Sequence, residues 1–368
     1  MISLIEQARS CTECRACMEV CPTYRATADE RMSPVHRLQA AVRLHDSGEV
    51  SDSDSESLYS CLNCGRSEAV CPENIQISNI VLQSRSELCR SGLGPPPRKR
   101  RVIEGTLSKG NSVNGDPQRR LEWLPEGPPT SESDTLLFIG CLSSYLVKDA
   151  AYSTYRVLKK LGVDFMLLED EGCCGSVFYT AGMVDTAKEW FQRNVERFDR
   201  LGIKRILVTC PVCLQSFKHH YPELLGEVGF TVQHVAEVIF DAMKADPDLA
   251  GNLSKVERRV SFKDPCTFVR GENLIRQPRE ILRNCGADIV ELPEHGTDAS
   301  CCGAGGGVRA IYRDLSTQVA ADLLATDDTG FVVTACPFCT FNLNGAAKEK
   351  GLDKQCPYFT NLLLESMA

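Results

Sequence analysis

A pattern of five cysteines that occurs twice constrains the fold of this 368-residue chain more than any other feature of its sequence. Each copy contains one cysteine, then a Cys-Cys-Gly triplet, then a Cys-Pro-x-Cys turn. The two copies are Cys141, Cys173-Cys174-Gly175 and Cys210-Pro211-Val212-Cys213, followed by Cys266, Cys301-Cys302-Gly303 and Cys336-Pro337-Phe338-Cys339. This matched spacing predicts a tandem duplication in which each copy holds one metal cluster in a pocket.

Two shorter cysteine runs precede the duplicated pattern. They read Cys11-x-x-Cys14-x-x-Cys17-x-x-x-Cys21-Pro22 and Cys61-x-x-Cys64-x-x-Ser67-x-x-x-Cys71-Pro72. The first is the complete run of a bacterial ferredoxin, in which the fourth cysteine of each run binds the other of two clusters. We therefore predict one cluster on Cys11, Cys14, Cys17 and Cys71, and a second on Cys61, Cys64 and Cys21, with Ser67 in the place of a cysteine.

Ser67 leaves the state of the second cluster open. A serine alkoxide is harder and more basic than a thiolate, and it would lower the potential of a cluster that it binds. Alternatively one iron is lost, which gives a [3Fe–4S] centre, or a water molecule takes the place of the ligand. The fourth possibility is that the cluster no longer carries electrons, so that a cysteine is no longer needed at position 67.

Composition limits the classes of function. The net charge of −8 argues against nucleic acid and against an anionic membrane surface. No apolar run is long enough to span a bilayer, and no secretory signal is evident, so we expect a cytoplasmic protein whose membrane attachment, if any, comes from a partner. Twenty cysteines then indicate metal ligation rather than disulfides. A zinc site would use four ligands, whereas each copy of the large pattern supplies five thiolates, which argues against zinc. Cys89, Cys285 and Cys356 lie outside the motifs and are expected to be buried packing residues.

Hydrophobic patterning predicts three folded units and a connector. Residues 1–91 are expected to form a helical ferredoxin-like domain and residues 92–134 a linker with little core of its own. Residues 135–250 and 251–368 are expected to form two tandem α/β cysteine-rich domains with pseudo-twofold symmetry, in which short strands carry cysteines at their carboxyl ends. The acidic stretch 47–57 is expected to be a polar loop, the basic run 98–101 a solvated face or a partner contact, and Trp123 to pack on the cluster domains.

The doubled pattern resembles the cysteine-rich CCG domain of heterodisulfide reductase-type iron–sulfur proteins, and with the ferredoxin runs the resemblance covers nearly the whole chain. It implies that each set of five thiolates binds an opened, noncubane [4Fe–4S] cluster. It further implies that a disulfide is cleaved between two such clusters, with Cys173, Cys174, Cys301 and Cys302 as catalytic positions. The family substrate is the mixed disulfide of coenzyme M and coenzyme B, whose anionic groups need positive charge. The candidate contacts near the motifs are Lys218, His219, His220, Arg270 and Arg309.

A second function has the same layout. The iron–sulfur subunits of glycolate, lactate and glycerol-3-phosphate dehydrogenases resemble this chain, and they pass electrons from a flavoprotein towards quinone. The partner would be a cytochrome b-like membrane subunit in the first case and an FAD-containing subunit in the second. Two complete motifs favour disulfide reduction, whereas Ser67 favours neither function.

The glycines 303–307 lack the strand–turn–helix context of a dinucleotide site and are expected to permit a close approach of backbone to a cluster or substrate.

Overall fold

The computed structural model describes residues 2–128, 132–246 and 251–368. Residues 129–131 of the predicted linker lie outside the described residues, as does the predicted boundary after residue 250 between the two cysteine-rich domains. Within the described ranges, no helix has both the length and the apolar character needed to cross a bilayer.

The amino-terminal unit is helical, as expected. Its helices are Leu4–Arg9, Ala16–Val20, Pro22–Thr27, Pro34–Ser47, Asp52–Tyr59, Arg66–Ala69 and Ile77–Arg90, with a 3-10 turn at Glu30–Met32. The long helix Pro34–Ser47 starts where Ser33 accepts a hydrogen bond from the amide of His36, and it ends at Gly48 in the left-handed conformation. Its buried face packs against Ile77–Arg90 in the core of this unit.

The predicted polar loop over residues 47–57 is wrong, because the helix Asp52–Tyr59 occupies most of it. Ser51 and Asp54 form a capping box, in which each side chain accepts a hydrogen bond from the backbone amide of the other. The acidic residues of the first turn complement the helix dipole. The last residues of the helix, Leu58 and Tyr59, are fully buried.

The predicted connector contains a helix with a core-facing side. Pro97–Lys109 starts with proline in its first turn and buries Lys99, Ile103 and Thr106. Further on, Trp123 is buried and packs edge-on against Tyr155 at 6.0 Å, which confirms the expectation for this tryptophan. The segment is therefore part of the folded core rather than a spacer.

The first α/β unit has three parallel strands in the order β1-β2-β3: Thr135–Phe138, Arg205–Val208 and Thr231–His234. The predicted strand at 165–168 is reduced to one parallel bridge, from Met166 to Leu136 beside β1. The helices of this unit are Gly140–Tyr145, Lys148–Lys160, Ser176–Tyr179, Val184–Arg200, Pro211–Gln215, Tyr221–Leu225 and Val235–Ala245, with a π-helical turn at Ser216–His220.

The second α/β unit repeats this plan. Its strands β4 (Arg259–Lys263), β5 (Asp288–Glu291) and β6 (Val332–Thr334) are parallel in the order β5-β4-β6. Parallel bridges join Phe331 to Gln355 and Thr334 to Tyr358 beyond β6. The helices are Arg276–Asn284, Val308–Ile311, Arg313–Leu324, Pro337–Lys350 and Phe359–Ser366, with a π-helical turn at Phe268–Glu272 and 3-10 turns at Gly296–Asp298 and Gly305–Gly307.

Corresponding segments have the same neighbours in both sheets, which agrees with a tandem duplication. In the first unit the order is the segment near 166, then β1, β2 and β3. In the second unit the matching order is β5, β4, β6 and then the segment at 355–358. The units also pack on each other: the hydroxyl of Thr360 lies 2.6 Å from that of Ser153, and Tyr358 donates to the carbonyl of Thr209 at 2.7 Å. A twofold axis between the units stays a prediction.

Candidate metal-cluster site

All ten cysteines of the duplicated pattern line one cavity of about 250 Å³ between the two α/β units. They are Cys141, Cys173, Cys174, Cys210 and Cys213 from the first copy, and Cys266, Cys301, Cys302, Cys336 and Cys339 from the second. Cys266 is half-buried and the other nine are buried. No disulfide joins these cysteines in the part of the chain that the structure describes. We call this space the central cavity.

Strand ends and proline turns direct the thiols into the central cavity. Cys210 and Cys336 follow shortly after β2 and β6 and are extended residues at the start of Pro211–Gln215 and Pro337–Lys350. Proline at the first helical position fixes a backbone angle suited to the helix and lacks an amide that would be unpaired there. The second cysteine of each motif then lies one helical turn further on, and both thiols line the same space.

The two cysteine sets are in contact with each other as well as within themselves. The sulfurs of Cys141 and Cys173 are 3.9 Å apart, and those of Cys302 and Cys339 are 3.2 Å apart. Hydrogen bonds with Cys213 and with Cys336 of the second set lower the pKa of Cys210 well below its ordinary value. One corresponding pair of the two copies, Cys210 and Cys336, therefore meets across the cavity.

Apart from its cysteines, the lining of the central cavity carries positive side chains and no carboxylate. Among its described residues, Lys99 and Arg309 are the charged ones, and neither aspartate nor glutamate contributes. Lys99 is 3% exposed, and burial together with the charge of Arg85 lowers its pKa to about 7. Arg309 donates to the hydroxyl of Thr317 at 2.9 Å. The sequence analysis found Arg309 but missed Lys99, which lies in the basic run expected to be a solvated face or a partner contact.

A second missed cation, Lys263, lies at the back of the second set. It ends β4, is 1% exposed, and its ammonium donates to the sulfur of Cys339 at 3.4 Å. Burial alone would lower the pKa of Lys263, but the thiolates of Cys339, Cys302, Cys266 and Cys301 raise it well above its ordinary value.

The other predicted substrate contacts lie elsewhere. Lys218 and His219 both contact Glu272, at 2.6 and 2.7 Å, and His220 stacks on Tyr179. Arg270 donates to the carbonyls of Cys64, Thr297 and Ala299, so it links the helical unit to the second α/β unit. Of the predicted contacts, Arg309 is the one that the described structure places in the lining of the central cavity.

Two small cavities in the helical unit gather the ferredoxin-type residues in the crossed arrangement expected from the runs. One is lined by Cys11, Cys14, Cys17 and Cys71, and the other by Cys21, Cys61, Cys64 and Ser67. The second also contains the fully buried guanidinium of Arg37, which donates to the sulfur of Cys21 at 3.5 Å. Ser67 therefore lies at the place of the missing cysteine.

The cavity that contains Ser67 adjoins the second set of the central cavity. A hydrogen bond with Cys301 lowers the pKa of Cys64 to about 6 although burial raises it. The glycine turn 305–307 packs here without side chains: a Cβ on Gly306 would lie 2.1 Å from the carbonyl oxygen of Cys61. The close approach that the structure shows is to the backbone of the second ferredoxin run, and the predicted approach to a cluster or substrate stays a prediction.

The donor chemistry fits iron–sulfur clusters. Each of the four groups supplies at least three thiols, the ligands by which such clusters are held. Within the described ranges, no three or more histidine, cysteine, aspartate or glutamate side chains lie close enough together to hold a single metal ion. Cys285 and Cys356 are buried outside the four groups, and Cys89 is half-buried with its thiol on the carbonyl of Ala181 at 3.3 Å.

Two family models match the chain. A cysteine-rich domain matches residues 135–218 and again 260–344, and a 4Fe-4S dicluster domain matches residues 7–75. The matches cover the two α/β units and the helical unit separately. They support iron–sulfur clusters in all three.

Curated relatives match most of the chain. It is 32% identical to a subunit of the dihydromethanophenazine:CoB–CoM heterodisulfide reductase of Methanosarcina mazei, across 91% of this chain and 88% of the relative. It is 26% identical to a subunit of the fumarate reductase (CoM/CoB) of Methanothermobacter marburgensis, across 94% and 71%. It is 23% identical to the glycolate oxidase iron-sulfur subunit of Escherichia coli, across 92% and 90%.

Proposed function

The chain belongs to the heterodisulfide reductase family of iron–sulfur subunits, and from this premise we propose that it reduces a disulfide in the central cavity with electrons that enter through the helical unit. The observation that carries the proposal is that both five-cysteine sets open onto one cavity. A ligand with two adjacent sulfurs can contact both sets at once in such a space. Cys173, Cys174, Cys301 and Cys302 are the proposed catalytic positions.

The proposed cofactors are two ferredoxin-type clusters in the helical unit and two noncubane [4Fe–4S] clusters in the central cavity. When bound, they supply single electrons and, in the opened form, irons that accept an external sulfur. The chain contributes seven thiols and Ser67 to the first pair and ten thiols to the second. Ser67 holds the position that decides whether the second ferredoxin-type centre has four irons or three.

The remaining lining suits an anionic disulfide. Apolar side chains such as Val102, Leu142 and Phe338 line the cavity beside the sulfurs. Arg309 supplies positive charge, and Lys99 supplies a second positive charge when it is protonated, without a competing carboxylate. The overall reaction takes one disulfide, two electrons and two protons to two thiols. The names of two relatives contain CoM and CoB, so we propose the mixed disulfide of these coenzymes as the substrate.

The second candidate function is electron transfer from a flavoprotein that oxidises a hydroxy acid. The similarity to the glycolate oxidase iron-sulfur subunit over 92% of this chain favours it. Both functions require a redox partner, which we propose to be a cytochrome b-like membrane subunit for disulfide reduction and an FAD-containing subunit for the alternative. The cytoplasmic location stays a prediction.

A flavin-free assay separates the two functions. The cluster-loaded protein is reduced anaerobically with a viologen, and the mixed disulfide of coenzyme M and coenzyme B is added with no flavin present. We expect two viologen radicals to be oxidised per disulfide consumed and two thiols to form. An uncharged dialkyl disulfide should require a higher concentration for the same rate, because it gains nothing from Lys99 and Arg309.

A matched pair of cysteine variants provides the control. Cys302→Ser removes a thiol of the second set and should reduce the rate to background, whereas Cys356→Ser removes a buried thiol outside the sets and should not. The alternative would be favoured by two results together. The native protein would form no thiol, and a flavoprotein with a hydroxy acid would reduce the clusters without viologen.

A further inference from the structure

The two cysteine sets differ three residues before their first cysteine. Phe138 has this position in the first copy and Lys263 in the second. The positions correspond, because each residue ends the strand that precedes its cysteine set, β1 and β4. Phe138 packs edge-on against Phe217 at 4.9 Å. One copy thus has an aromatic contact where the other has an ammonium group.

Lys263 has a sulfur as its partner rather than a carboxylate. Within the described ranges, Cys339 at 3.4 Å is the hydrogen-bond acceptor of its ammonium. The neighbouring Asp264 is held at 2.7 Å by Arg279 and at 2.8 Å by the amide of Gly296, so its charge is already balanced. A buried ammonium without a counter-charge is costly. The sulfurs of the second set are therefore the groups that balance Lys263.

The first set has neutral hydrogen-bond donors instead. Among the described contacts, the hydroxyl of Ser112 lies 3.3 Å from the sulfur of Cys141, and the amide of Gly175 donates to Cys173 at 3.4 Å. The cation on this side is Lys99, and no hydrogen bond joins it to a cysteine in the described structure. The difference between the two sets is thus one direct cation–sulfur contact.

We propose that Lys263 makes the centre held by the second set easier to reduce than the centre held by the first, so that the second accepts electrons first. The inference rests on the proposed clusters. Added negative charge is stabilised by a nearby cation in a poorly solvated site, and hydrogen bonds to the sulfurs and net charge set cluster potentials. Lys263 acts through Cys339 and is a positioning residue. The second set also contacts the helical unit, where Cys301 lies in one buried cluster with Leu62 and Cys64 packs against it.

The test is a potentiometric titration of Lys263→Met, followed by EPR, with Lys263→Arg as the matched variant that keeps the charge. At a fixed potential, the ratio of reduced to oxidised form should fall at least tenfold for one of the two cysteine-rich centres in Lys263→Met. For a one-electron couple this is 59 mV. The other cysteine-rich centre and the ferredoxin-type centres should keep their potentials, and Lys263→Arg should titrate like the native protein.

Several results would overturn the proposal: an unchanged titration in Lys263→Met, an equal shift in both cysteine-rich centres, or the same shift in Lys263→Arg. Iron analysis accompanies each variant. If Lys263→Met loses iron, the decision rests on Lys263→Arg. Native iron content with a native potential in Lys263→Arg supports the role of the positive charge, and loss of iron in Lys263→Arg refutes it. The titration contains no disulfide, so a protein without disulfide reductase activity would still support or refute the role of Lys263.

Discussion

Single side chains set the local charge around the sulfurs of the helical unit. Arg37 is fully buried and donates to Thr23, Ser57 and Ser60 as well as to the sulfur of Cys21. These contacts fix its guanidinium beside the cavity that contains Ser67. A fixed cation there offsets the negative charge of thiolates, and so it favours retention of a cluster even with one thiolate fewer.

The first prediction concerns Ser67. Ser67→Cys should complete the second ferredoxin run, raise the iron content by about one per chain if the native centre has three irons, and give the EPR spectrum of an ordinary [4Fe–4S] centre. Anaerobic iron analysis and EPR provide the measurement. Ser78 lines the same cavity outside the run, so Ser78→Cys is the control and should change neither quantity. An unchanged spectrum in Ser67→Cys would place Ser67 away from iron.

The cysteine groups could be predicted from the sequence, because short fixed spacings leave few ways to place the thiols. Of the three cations near these sulfurs, Arg309 was predicted, and Lys99 and Lys263 were missed. Lys99 lies in a basic run that is typical of a solvated face, and its burial depends on where the helix Pro97–Lys109 packs. Lys263 could have been found from the sequence, because an alignment of the two copies puts this lysine opposite Phe138, three residues before a cysteine.

At the scale of the elements, strands and long helices follow the hydrophobic pattern, and the errors fall where local chemistry overrides composition. The segment 47–57 is acidic and rich in serine, which favours a loop, but the Ser51-x-x-Asp54 box starts a helix in it. The glycine turn 305–307 could be recognised as a close approach, but not as an approach to Cys61 and Leu62, because that contact joins residues more than 240 positions apart in the chain.

The second prediction tests this close approach. Gly306→Ala places a Cβ 2.1 Å from the carbonyl oxygen of Cys61, in a backbone conformation with φ of +59°. Gly296→Ala is the matched control, because φ is +58° there and nothing lies within 4 Å of the added atom. Both variants should lose about 1–2 kcal/mol of unfolding free energy, because alanine has a Cβ in the left-handed backbone conformation. Gly306→Ala should lose roughly 1–3 kcal/mol more from the clash. Denaturant titration measures both, and equal losses would contradict the packing of this turn.

At the scale of the whole molecule, buried arginines join the three units. Arg85 is fully buried and donates to the carbonyls of Leu58 and Cys61 in the helical unit, of Thr180 in the first α/β unit and of Gly306 in the second. A second link joins Arg66 and Arg25 to Glu294, with nitrogen–oxygen distances of 2.6 to 2.7 Å. These contacts bind residues that the sequence separates widely, so motif spacing carried no information about them.

The Glu294 link gives the third prediction. Glu294→Gln removes the negative charge that faces two guanidinium groups between the helical and second α/β units, one of them on the buried Arg66. The unfolding free energy should fall by about 1.5–3 kcal/mol, the usual cost of a lost hydrogen bond to a charged group. Anaerobic denaturant titration of the cluster-loaded protein measures it. The matched control is Glu365→Gln, which breaks an exposed pair with Arg258 and should cost under about 1 kcal/mol.

The same pair predicts how this loss depends on pH. Burial raises the pKa of Glu294, but hydrogen bonds from Arg66 and Arg25 lower it to about 2 in the folded chain. The unfolded value is about 4.3. A lowered folded pKa contributes stability that is present above the unfolded value and is lost as the pH falls from about 4 towards 2. The difference between native protein and Glu294→Gln should therefore be constant from pH 6 to pH 8. The difference should then shrink as the pH falls from about 4 towards 2. A difference that stays unchanged through this lower window would mean that the two arginines do not lower the pKa of Glu294.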